Sequence, residues 1–126
     1  MGRLISASLT LILTLGLAVN AHALDYWSGG AGAESREAAP TDLNATFEFF
    51  ARDGSFLSGI DAVISRVDGG EVMLEVMTEG PWLMVDLPAG YYRIEATRLS
   101  TGEVQRVRFE VAEGGSPQKM GLRYMQ

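Results

Sequence analysis

From Leu43 onward, apolar residues recur at every second position. Leu43, Ala45, Phe47, Phe49 and Ala51 alternate with Asn44, Thr46, Glu48, Phe50 and Arg52, which is the period of a strand with one buried face. Asp53-Gly54 predicts a turn, and Ile60, Ala62 and Ile64 then share one face of a second strand. After Asp68-Gly69-Gly70, a third strand carries Val72, Leu74 and Val76 inward and Met73, Glu75 and Met77 outward, and Glu79-Gly80-Pro81 ends it. Trp82-Leu83-Met84-Val85 is apolar on both faces, so the period leaves its inward side open. Leu87-Pro88-Ala89-Gly90 has the residue order of a type I turn. Tyr92, Ile94 and Ala96 line the next inner face, followed by a turn at Ser100-Thr101-Gly102 and a strand with Val107, Phe109 and Val111 inward. Gly114-Gly115 precedes a last strand with Met120, Leu122 and Tyr124. Seven short strands, with turn signals about every 8 to 15 residues and no long helix, predict an all-β fold, an antiparallel β-sandwich.

The two segments before Leu43 have other patterns. Residues 1–23 carry Arg3, an apolar stretch from Leu4 to Val19, and a small-x-small site at Ala21-His22-Ala23, the organisation of a cleavable secretory signal. Val19-Asn20-Ala21 is a second such site, two residues earlier. The apolar stretch includes Ser6, Ser8, Thr10 and Thr14 and is shorter than the roughly 20 residues of a spanning helix. Lipoprotein anchoring needs a cysteine, and twin-arginine export needs paired arginines; the chain has neither there. The expected location is the periplasm, with no membrane anchor after cleavage. Residues 24–42 form a Gly-rich arm headed by Tyr26 and Trp27 and running through Ser28-Gly29-Gly30-Ala31-Gly32, with a short helical turn possible over Glu34–Ala39 before Pro40. It reads as a flexible arm ahead of a domain at 43–126.

Composition narrows the function. The chain has no cysteine and one histidine, His22, which leaves with the signal; the acid-base and nucleophile partnerships that need His or Cys, and thiolate-zinc sites, then have no residues to work with. Nothing in the sequence places two carboxylates across a cleft for glycoside hydrolysis. We therefore expect no enzyme, no cofactor and no metal. The formal net charge of −6, one unit more acidic once Arg3 is removed, argues against nucleic acid as a partner.

The stretch Gly80-Pro81-Trp82-Leu83-Met84-Val85-Asp86-Leu87-Pro88-Ala89-Gly90-Tyr91-Tyr92-Arg93-Ile94-Glu95-Ala96 resembles the signature of the carboxypeptidase regulatory-like family. Gly80, Trp82, Leu87, Pro88, Gly90, Tyr92, Ile94 and Ala96 occupy its characteristic places, and Phe56-Leu57 leading to Ile60 resembles the family's first hairpin. The arm from Ser28 to Glu34 together with Gly80–Leu83 is also similar to segments of small exported proteobacterial proteins of unknown role. The resemblance covers roughly residues 43–124. It implies a transthyretin-like, seven-stranded Greek-key sandwich, with Trp82 facing inward as a core plug and no catalysis of its own. Transthyretin-like hydroxyisourate hydrolases share that architecture, but their histidine cluster has no counterpart in the mature chain, and their C-terminal Tyr-Arg-Gly-Ser stands against Arg123-Tyr124-Met125-Gln126 here.

The expected function is a non-catalytic protein-binding or accessory module of the cell envelope, docking through the arm or a sheet edge. The candidate contact residues are Tyr26, Trp27, Gly29, Gly30, Pro81 and Trp82. Tyr26 and Trp27 either cover a sheet edge or face a partner. The alternative is a small-molecule or carbohydrate/peptidoglycan-binding domain using aromatic faces around Tyr91, Trp82 or Trp27. Asp53-Gly54 and Asp68-Gly69-Gly70 lack calcium-loop spacing and read as turns. Arg106, Arg108 and Arg123 form either an anion-binding face or a solvated strand face, and Asn44-Ala45-Thr46 matches a glycosylation acceptor by coincidence.

Overall fold

A computed structural model describes residues 24–126; the signal sequence read from residues 1–23 lies outside them. The described elements run β1 (Tyr26–Gly29), α1 (Ala33–Glu37), β2 (Ala45–Phe50), β3 (Ile60–Arg66), β4 (Val72–Met77), β5 (Trp82–Val85), β6 (Gly90–Arg98), β7 (Glu103–Val111) and β8 (Gln118–Arg123). They form two four-stranded sheets, ordered β1-β5-β2-β8 and β4-β3-β6-β7, that pack as a β-sandwich.

The alternating positions meet between the sheets. Ala45, Phe47, Phe49, Leu83, Val85 and Leu122 from the first sheet face Ile60, Ala62, Ile64, Leu74, Tyr92, Ile94 and Ala96 from the second, all buried. Phe47 and Phe109 bridge the layers edge to face at 5.2 Å, and Tyr92 stacks on Phe109 at 5.6 Å. Tyr124, just past β8, donates its hydroxyl to the Ala96 carbonyl of β6 at 2.7 Å and ties one sheet to the other.

The architecture departs from the expected one in three respects. The described residues form eight strands, because the head of the arm is itself a strand. Residues Tyr26–Gly29 pair antiparallel with β5, Tyr26 opposite Val85 and Gly29 opposite Trp82. The segment has no strand period, and what makes it a strand is the open edge of β5, which satisfies its backbone. The head of the arm is therefore an element of the first sheet rather than a flexible lead. Second, the sandwich is not wholly antiparallel: β8 runs parallel to β2, with Ala45 opposite Gln118 and Phe50 opposite Arg123. Third, Trp82 is not the core plug. Leu83 and Val85 take the inner positions of β5, so alternation sends Trp82 and Met84 to the outer face.

Candidate functional site

The six candidate residues do come together, at the β1–β5 edge and the outer face beside it. There they serve mainly one another. Trp82 is half-buried on that face and donates its indole Nε1–H to Glu48 Oε2 at 2.7 Å. Lys119 Nζ lies 3.5 Å from Glu48 Oε1 and 4.9 Å from the Trp82 ring centre, so one carboxylate orients both the indole and the cation over it. From the other side the chain after β1 folds back over the ring. Gly30 lies against it at φ +93°, and a Cβ there would come within 2.9 Å of Trp82 Cδ2. α1 then brings Arg36 to 5.4 Å from Trp82 and 4.6 Å from Phe56, while its Nε donates to the Gly30 carbonyl at 2.9 Å. The Gly30 amide donates to Ser35 Oγ at 2.9 Å. Trp82 thus fills a small satellite core between the sheet and its own arm.

The remaining candidates are largely occupied as well. Trp27 is half-buried, its ring folded along β1 over Gly29, where a Cβ would meet Trp27 Cζ2 at 2.7 Å. Gly29 is buried against Gly80, and Pro81 is buried with its carbonyl accepting from the Phe49 amide at 2.9 Å. Ser28 stitches the arm down: its Oγ donates to the Trp82 carbonyl at 3.0 Å and accepts from the Glu79 amide at 2.9 Å. Of the six, only Tyr26 stands open, 49% exposed at the sheet edge. Between covering an edge and meeting a partner, the geometry of Trp27 is that of a cover.

A more open edge lies on the other sheet, where the sequence singled out nothing. β4 pairs only with β3, from Asp61 opposite Met77 to Ser65 opposite Val72, with Met73 bulged. Its Val72 and Met77 are 49% and 47% exposed, and Glu75 is its one charged residue. The edges β7 and β8 differ sharply: they carry exposed Arg106, Arg108 and Glu110, and exposed Lys119 and Arg123, the charges that normally keep an edge from pairing. Met77 is an outer position as expected, but Val72, expected inward, is turned out by the bulge, and Met73, expected outward, packs against the core instead. The strand's place at an edge is a property of the topology.

Two depressions of the surface formed by the described residues bear on a site. The larger, of about 610 Å³, lies among Arg52, Asp53, Leu57 and Arg98 and contains Gln126, whose carbonyl already accepts from Arg98. The smaller, of about 300 Å³, is a groove lined by Val67, Tyr91, Tyr92, Arg108, Phe109 and Glu110. Tyr91 is 62% exposed there, the openest aromatic ring of the described residues.

The other sequence candidates are also placed. Asp53 accepts from the Ser55 hydroxyl at 2.7 Å and the Ser55 amide at 3.0 Å, which holds its carboxyl below the usual range. That is the turn reading of Asp53-Gly54. Asn44 clamps the Leu87 loop with both ends of its amide, donating to the Leu87 carbonyl at 2.8 Å and accepting from the Leu87 amide at 3.0 Å. The three arginines separate: Arg123 lies on the first sheet over Phe50, Arg106 is paired with Glu95 at 2.9 Å, and Arg108 stands opposite Arg93. No protein-family model matches the chain, and no curated protein matches it.

Proposed function

We propose that the protein is a non-catalytic module, exported to the periplasm, that binds another envelope protein by strand addition at the open β4 edge. One observation carries this reading: β4 offers a free edge of 6 residues with two half-exposed apolar side chains and a single charge, while the edges β7 and β8 carry charged side chains and the remaining edge, β1, is only 4 residues long. The partner chemistry that fits is an extended apolar segment, its backbone pairing with β4 and its alternate side chains lying beside Val72 and Met77. The lack of histidine and cysteine after residue 23 supports a role without catalysis. The signal-like residues 1–23 support export. The same reading takes the sandwich as a transthyretin-like Greek key of the carboxypeptidase regulatory-like type. Its support is the motif from Gly80 to Ala96, which supplies β5, the crossing loop and β6, with β1 added as an eighth strand.

A photo-crosslinker placed at exposed Glu75 in native envelopes tests the docking edge. The expected result is one abundant adduct that disappears when Val72 and Met77 are both changed to Lys, with the fold retained. An adduct that persists in the double variant, or one that forms only from Tyr26, would refute docking at β4.

A second reading, as a carbohydrate-binding domain, is favoured by Tyr91. Trp27 and Trp82 are covered by the arm and by cations, so the exposed Tyr91 ring beside its groove is the aromatic face left open for a sugar.

A further inference from the structure

We propose that the outer face of the β6–β7 pair carries a site for a carboxylate-bearing sugar ring, formed by Arg93, Arg108, Tyr91 and Glu110. The proposal rests on the carbohydrate reading and gives it a ligand class.

It begins with an electrostatic anomaly. Arg93 and Arg108 stand directly opposite each other in the β6–β7 ladder, a like-charge pair at a position where such pairs destabilise a sheet. The neighbouring cations of this sheet are matched: Arg106 meets Glu95 at 2.9 Å, and Arg66 meets Glu71 at 3.6 Å. Among the described residues neither Arg93 nor Arg108 forms an ion pair, although Glu110 lies on the same face one pair along. The Nε of Arg93 is moreover buried with no hydrogen-bond partner. The buried Nε marks how closely the Arg93 side chain is held to the sheet, and an anion bridging the two guanidinium groups at their terminal nitrogens relieves the like-charge repulsion between them.

The surroundings select the anion. Planar guanidinium groups match a planar carboxylate through paired N–H donors. The next pair on the same face is Tyr91 opposite Glu110, and the two line the groove of about 300 Å³ together with Arg108. That volume is at the lower end for small-ligand sites, on the scale of a ring rather than a long chain. The exposed face of Tyr91 offers a platform for the C–H face of such a ring. Glu110 accepts from hydroxyl groups, and as a second anion beside the site it disfavours a dianionic group such as a phosphate ester more than a singly charged carboxylate. A ring with one carboxylate and several hydroxyls, a uronate residue of an acidic glycan, satisfies all four groups.

The test follows the arginine Nε–H signals of 15N-labelled protein during titration with a galacturonate hexamer, a neutral glucose hexamer and inorganic phosphate. The expected result is a shift of the Arg93 and Arg108 signals with the galacturonate hexamer alone. Arg108→Gln should weaken binding by about tenfold, the loss expected for a charge-assisted contact. Arg106→Gln, which removes a cation already paired to Glu95, should leave affinity within about twofold. Equal binding of the neutral hexamer without arginine shifts would overturn the carboxylate site and leave the carbohydrate reading standing. Matching shifts with phosphate would reduce the site to a plain anion site and overturn the proposal. No binding of either hexamer would remove both readings.

Discussion

Gly80 decides whether the arm can lie where it does. A Cβ built on it would run into the backbone carbonyl and Cα of Gly29, and backbone atoms cannot swing aside as the end of a side chain can. The two glycines face each other because the Ser28 hydroxyl draws β1 onto the turn before β5, holding the Glu79 amide and the Trp82 carbonyl at once. Gly80→Ala should therefore cost about 2–3 kcal/mol, the range of a steric conflict with no room to relax, and should act locally. Urea unfolding would show the loss, and hydrogen exchange would show protection falling first at Trp27 and Gly29; unchanged exchange at those amides would mean that the close approach is not needed. Sequence flags Gly80 as a turn residue but gives no sign of what it touches, because the contact spans about fifty residues of chain. Trp82 was hard to read for a related reason. In a segment apolar on both faces, period two allows either inward face, and the ring lies outward only because Leu83 and Val85 fill the core while Glu48, Lys119, Arg36 and Gly30 cover it from outside.

At the scale of elements, legibility follows the number of faces a strand hides. β2, β3, β6 and β7 each have one buried face, so their alternation appears plainly in the sequence and their places agree with it. β1 was illegible because its strand character comes from a neighbour: Tyr-Trp-Ser-Gly has no period, and the pairing with β5 supplies the order. The same dependence runs the other way. Without β1, β5 would present an open edge, Trp82 would lose the chain that roofs it, and the Asp86 amide would lose the Asp25 carbonyl it bonds at 3.0 Å. Deleting residues 24–40 should thus cost about 3–5 kcal/mol, from lost ladder bonds and uncovered apolar area. The melting temperature should fall by at least about 10 °C. Calorimetry on the deleted and complete forms measures this directly. Equal melting temperatures would mean that β1 is dispensable and that the arm is an appendage after all. The edge exposed by the deletion should also promote self-association, visible by light scattering.

Across the whole molecule, the distribution of titratable groups predicts a broad stability plateau with two distinct flanks. Residues 24–126 contain no histidine and no cysteine, so no side chain of ordinary pKa changes charge near neutrality. On the acid side the working groups are Glu103 and Asp53. The amides of Met125 and Gln126 bond the Glu103 carboxylate and hold its pKa below the ordinary 4.5, as the Ser55 hydroxyl and amide do for Asp53 below 3.8. A carboxyl depressed in the folded state contributes stability that is present above its unfolded value and is lost as the pH falls through its folded value. On the alkaline side burial pushes Tyr124 and Tyr92 above the ordinary 10.0. Tyr124 donates its hydroxyl to Ala96 and Tyr92 to Pro88, so each must keep its proton to keep its bond. A group raised in the folded state contributes stability that is fully present below its unfolded value and is lost as the pH climbs through its folded value. The urea midpoint should therefore stay level from about pH 5 to about pH 9.5 and fall on both sides. Glu103→Gln should flatten the acid limb by removing the titrating carboxylate, while Tyr124→Phe should flatten the alkaline limb and lower the plateau through the lost bond between the sheets. A break in the midpoint between pH 6 and pH 8 would contradict this assignment, since residues 24–126 carry no side chain of ordinary pKa that could produce it.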